Sequence, residues 1–116
     1  MFLQNNSNND LEKYCYPQLF QKHTTFSNSY YTGEYIVIKV GKMYIIEGNI
    51  TVITPNTNWF NCFNLGILCD GSYRAGTYSL SEYSDIEIYV NKSGIVSVAG
   101  GIKNRVQMFN LHCFEE

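Results

Sequence analysis

The side chains with the most chemical content sit in the irregular stretches between apolar runs. Asn58-Trp59 follows a Pro/Asn turn, Asp70 precedes Tyr73-Arg74 in "CDGSYRAGT", and Tyr78 and Tyr83 flank "SLSE". Aromatic rings stack on the apolar face of a pyranose, while Asn, Asp and Arg side chains fork between vicinal hydroxyls. This mixture suits sugar binding, and Asn58, Trp59, Asp70, Tyr73, Arg74 and Tyr83 are the candidate ligand contacts. Two of them have a plainer reading. Trp59, the only tryptophan, also fits a core or a subunit interface, and Arg74 also fits a structural salt bridge. Tyr73 and Arg74 lie between glycines at a loop tip, where core packing explains them less well.

Other chemistries find less support. The chain has no G-x-S-x-G, no H-E-x-x-H, no P-loop and no dinucleotide fingerprint. His23 and His112 are the only imidazoles, so a Cys–His dyad would need His112 with Cys62 or Cys69. Asp70, Glu82, Asp85 and Glu87 could supply a glycosidase carboxylate pair, but acids in loops and at alternating strand positions are more often a solvated face. A zinc set of Cys62, Cys69, His112 and Cys113 meets a geometric obstacle, since adjacent strand residues point to opposite faces. Neither an enzyme, a cofactor nor a metal is expected. The four cysteines, Cys15, Cys62, Cys69 and Cys113, include no CxxC pair and read as buried free thiols.

Composition limits partners and class. At 116 residues the chain fits one domain with a real core. A net charge of −2, with Lys and Arg scattered singly, leaves no basic stripe for phosphates. "MFLQNNSNND" has neither the basic start nor the apolar run of a signal peptide or membrane anchor, so a soluble chain is expected. Sequons at Asn5, Asn49 and Asn91 are matches that an Asn-rich chain produces by chance. Tyr, Phe, Ile and Val suit a pleated, half-buried surface, and the many asparagines suit turns.

These candidate contacts must be held by strands. Residues 1–33 read as an irregular segment or linker, with one helical turn at "DLEKY" and a short strand in "QLFQKHTTF"; residues 34–116 read as the β-domain. "EYIVIKV" is apolar on both faces and turns through Gly41-Lys42 into "MYIIEGNITVIT", where Gly48 marks a bulge or a close backbone approach. Pro55 to Asn58 reads as a loop, followed by the apolar run "WFNCFNLGIL". In "DIEIYVNKSGIVSV", Ile86, Ile88 and Val90 share one face and Asp85, Glu87 and Tyr89 the other, with Tyr89 an outside candidate for binding. Ala99-Gly100-Gly101 breaks the return strand. "RVQMFNLHCF" changes phase, which suggests a bulge near Met108. The whole reads as an antiparallel, jelly-roll-like β-sandwich. An antiparallel sheet facing water should be polar outside. "YIVIKV" and "MYII" are not, so that face is either covered or meets another subunit.

The order of these features resembles the distal head domains of tailed-phage tail fibres and baseplate receptor-binding proteins, also found in prophages. "VIKVGKMYIIEGNITV" matches the family's "k-x-G-x-x-v-x-l-x-G-x-i" segment, "GSYRAG" its "G-y-R-P" loop, and "DIEIYVNKSGIVSV" its "i-x-I-x-x-x-G-x-i-x-v" hairpin before the terminal strand. Gly41, Gly48, Tyr73, Arg74 and Gly94 take the matching positions, and the likeness covers residues 34–114. Ala75 stands where proline follows the arginine in the family, so this loop is shaped differently. The resemblance implies a homotrimeric β-sandwich at a fibre tip, on a virion or extracellular surface. Such a head joins an upstream tail or fibre protein and binds cell-surface saccharides without catalysis. The alternatives are a structural module of the same fold without a glycan ligand, and a small hydrolase or secreted effector.

Overall fold

The computed structural model describes residues 17–78 and 86–116. Among them are nine strands and no helix: β1 (Gln18–Ser27), β2 (Tyr31–Val40), β3 (Met43–Val52), β4 (Asn56–Asn64), β5 (Tyr73–Arg74), β6 (Gly76–Tyr78), β7 (Ile86–Val90), β8 (Ile95–Gly100) and β9 (Val106–Phe114). They form two sheets, one in the order β1-β2-β3-β9-β6 (sheet A) and one in the order β4-β8-β7-β5 (sheet B). Every pairing is antiparallel.

The period-two pattern of the sequence decides what each sheet turns inward. Sheet A buries Tyr31, Tyr35 and Val37 of β2, Ile46, Ile50 and Val52 of β3, and Phe109, Leu111 and Cys113 of β9. Sheet B meets them with Ile86, Ile88 and Val90 of β7 and Val96 and Val98 of β8. Leu65, Ile67 and Cys69, in the connection after β4, complete the same cluster. Each fully buried aliphatic side chain contributes about 1.5–3 kcal/mol relative to exposure. Rings join the two layers: Phe63 of β4 stacks on Tyr35 with centroids 4.4 Å apart and packs on Phe26 at 4.6 Å. The result is a sandwich-like all-β domain.

Several expectations are corrected. Residues 18–33, grouped in the sequence with an irregular segment or linker, belong to the fold: the short strand read in "QLFQKHTTF" is β1, it pairs along β2, and Phe26 and Tyr31 lie in the core. The helical turn at "DLEKY" falls outside the described residues. Asn56 to Asn58 are already strand, and β8 runs through Gly100 instead of stopping at Ala99. β9 has no bulge, since its register with β3 is continuous from Met43↔Phe114 to Thr51↔Val106. The apparent change of phase arises because Gln107 takes the inward position and Val106 points out. Gly48 marks a close approach and not a bulge: a Cβ there would lie 2.1 Å from the carbonyl oxygen of Glu34, while the β2–β3 register is unbroken. The hairpin turn at Gly41-Lys42 is as expected, closed by the pair Val40↔Met43.

One end of the outer face of sheet A keeps the apolar character of "YIVIKV" and "MYII", while the other end carries Glu34, Glu47, Asn49 and Asn110. Leu19, Ile38 and Ile45 occupy one rung across β1, β2 and β3, and Val40, Met43 and Phe114 occupy the next across β2, β3 and β9. Leu19 and Phe114 are 61% and 42% exposed. No described element covers this face.

Candidate functional site

The outer face of sheet B is built differently. β4 is an edge strand whose register against β8 shifts twice, as edge strands often do. Phe60 packs on the core, while its neighbour Trp59 stays 41% exposed on the opposite side. In β7 the buried Ile88 and Val90 leave Glu87 and Tyr89 facing out. β5, the other edge, pairs with β7 so that Arg74 lies opposite Tyr89, and Tyr89 lies opposite Ser97 of β8.

These pairings bring together residues that the sequence separates by up to thirty positions. Trp59 and Tyr89 meet edge to face, perpendicular, with ring centroids 4.7 Å apart. The Arg74 guanidinium carbon lies 5.9 Å from the Trp59 ring centroid, within cation–π range. Its Nη1 lies 3.5 Å from Oε1 of Glu87, an exposed ion pair that orients the guanidinium more than it stabilises the fold. Trp59, Ser72, Tyr73, Arg74 and Tyr89 line a shallow open cleft of about 290 Å³.

Asp70 and Tyr73 form the supporting wall. The Tyr73 hydroxyl donates to Oδ1 of Asp70, and this bond to a carboxylate holds the phenol proton, pushing its pKa up to about 12. The backbone N–H of Asp70 donates to the Phe114 carbonyl at 3.0 Å, and the Tyr73 and Phe114 rings lie 6.2 Å apart. Tyr73 is therefore anchored to β9 through its loop. Tyr73 and Arg74 are not at a loop tip, as the sequence suggested, but in the short strand β5.

Of the six residues singled out in the sequence, Trp59, Tyr73 and Arg74 line the cleft and Asp70 holds one of them. Asn58 is exposed and off the lining; its backbone N–H donates to Oδ1 of Asn56 at the start of β4. Tyr83 lies outside the described residues. Tyr89, only an outside candidate, is central, and Ser72 and Glu87 were not proposed as contacts. Alternation with Ile88 and Val90 reveals that Tyr89 points outward, but only the β5–β7 pairing shows that it faces Arg74.

Chemically the cleft offers an indole, phenol rings, a guanidinium, a hydroxyl and one ion-paired carboxylate. That set can stack on a C–H face and hydrogen-bond around it. A second groove of about 290 Å³ on sheet A is less suited. Its amides are turned on neighbouring acids: Asn110 donates to Glu47 at 3.1 Å and Asn49 to Glu34 at 3.4 Å. His112 is exposed on the face of β9 opposite the buried Cys113, as strand alternation requires. Compared with protein-family models, with curated proteins and with solved structures, the chain matches none.

Proposed function

We propose that this chain is a non-catalytic adhesion domain that binds a cell-surface carbohydrate, working as the head of a phage tail fibre or receptor-binding protein. The observation that carries the reading is the convergence of Trp59, Tyr73, Arg74 and Tyr89 on one exposed cleft. Rings give the apolar face of a sugar its contact, and Arg74, Glu87 and Ser72 bond its hydroxyls. A cleft of this size holds one or two sugar rings, so a single site binds weakly. A jelly-roll-like homotrimer would present three such sites and gain affinity by avidity. The virion setting rests on the likeness of residues 34–114 to fibre-tip heads.

Glycan-array and calorimetric binding test this. Trp59→Ala and Arg74→Ala, both at exposed positions, should each weaken glycan binding by about tenfold or more while leaving the melting temperature within a few degrees. Binding unchanged in both variants would refute the site.

The second reading is a structural fibre or baseplate module of the same fold without a glycan ligand. The apolar end of the outer face of sheet A favours it, because such a patch suits a permanent protein neighbour. Tight association with a tail protein, with no binding across a glycan array, would decide for it.

A further inference from the structure

Two cysteines adjoin Asp70 and Phe114, the residues that flank Tyr73. Cys69, in the connection after β4, and Cys113, on β9, are both fully buried, with their Sγ atoms 3.4 Å apart although they are 44 positions apart in sequence. The backbone around them is already cross-tied. The N–H of Cys69 donates to the Lys92 carbonyl at 2.9 Å, that of Asp70 to Phe114 at 3.0 Å, and that of Glu116 to Leu68 at 3.2 Å. Cys69 also bridges Glu115 as an isolated antiparallel pair. Two thiols presented to each other from segments this firmly paired need only a small approach to bond.

We propose that Cys69 and Cys113 are a disulfide-forming pair, oxidised by a glutathione-type disulfide, and that the bond staples the cleft's supporting loop to the last strand. The expectation of buried free thiols is thereby replaced for these two residues. The chemistry balances by exchange. One Cys thiol loses its proton to solvent, and its sulfur attacks the oxidant to give a mixed disulfide and one glutathione thiol. The second Cys thiol then loses its proton and displaces the second glutathione. Two S–H bonds are lost and one S–S bond is formed, and the two electrons end on the reduced glutathione. Burial raises the Cys69 thiol and pushes Cys113 up to about 12, so exchange passes through local opening or occurs while the chain folds.

The position gives the bond a consequence. Cys69 adjoins Asp70, which holds the Tyr73 hydroxyl, and Cys113 adjoins Phe114, whose ring packs near Tyr73. Oxidation fixes that wall of the cleft. The inference does not depend on what the cleft binds. Cys62 is not part of it, being occupied with Asn28, whose Nδ2 lies 3.4 Å from its sulfur.

The full chain is refolded with reduced and oxidised glutathione, alkylated under denaturing conditions, digested and mass-analysed. The expected product lacks two hydrogens and yields one cross-linked peptide pair, Cys69 with Cys113, with Cys62 and Cys15 alkylated. Its melting temperature should exceed that of the dithiothreitol-treated chain by about 10 °C. That difference should vanish in a Cys69→Ala/Cys113→Ala variant. Should the variant not fold, oxidised and reduced wild-type chains still give the comparison. Full alkylation of both cysteines, a cross-link through Cys62 or Cys15, or equal melting of the two forms would overturn the proposal.

Discussion

Gln107 lies on the inner face of β9 opposite Ile50 of β3, fully enclosed, and among the described residues neither its amide oxygen nor its nitrogen has a hydrogen-bond partner. An enclosed amide without partners keeps its desolvation cost. Replacing it with a side chain of similar length and no polar atoms should therefore help. Gln107→Met is expected to raise stability by about 1–2 kcal/mol, read as a higher urea midpoint with unchanged slope. The same residue explains why β9 looked broken in sequence: a polar residue stands where alternation demands an apolar one. A second residue-scale prediction concerns Glu34. Its carboxyl is held below the ordinary range, first by the 2.6 Å contact with His23 and then by the Asn49 amide. A lowered folded-state pKa contributes stability above the ordinary carboxylate value and loses it as pH falls through the folded one. Melting temperatures of the wild type and Glu34→Gln should differ most near neutrality and converge below about pH 3. The contribution is small because both partners are exposed.

At the scale of elements, the hairpin of β7 and β8 shows how much is written locally. Asn91 Oδ1 accepts from the N–H groups of Ser93 and Ile95, at 2.9 and 3.1 Å, and Gly94 closes the turn at φ +78°. A Cβ on Gly94 would also lie 2.0 Å from the Ile67 carbonyl oxygen. Gly94→Ala should cost roughly 3 kcal/mol or more, and Gly48→Ala a comparable amount for its own backbone contact; both are measurable by urea denaturation. Turns, alternation and the faces of β2, β3 and β7 were legible because each depends on residues a few positions apart. What was not legible depends on distant partners. The pairing of β5 with β7 makes Tyr89 a cleft residue, and the pairing of β1 with β2 brings the polar "QLFQKHTTFS" into sheet A. No pattern within either segment encodes its neighbour.

For the whole molecule, the two outer faces contrast. Sheet B presents polar and aromatic groups around the cleft, whereas the end of sheet A by the β2–β3 turn presents Leu19, Ile38, Ile45, Val40, Met43 and Phe114 on adjoining rungs. If subunits of the proposed trimer meet through sheet A, Ile38→Lys with Ile45→Lys should convert it to a folded monomer. Light scattering would then give one third of the mass with an unchanged far-UV spectrum. A monomeric wild type would leave sheet A to a different neighbour and remove the avidity that the proposed glycan binding invokes. Both faces hang on one placement: β9 sits inside sheet A, between β3 and β6, although it is made after both. During synthesis the first three strands therefore wait with one side of β3 unpaired until the ribosome delivers residues 106–114. A chain truncated before that point carries a vacant strand slot, and an intact copy's β9 is a ready occupant. Prematurely terminated copies should thus act as traps, drawing complete ones into strand-exchanged aggregates.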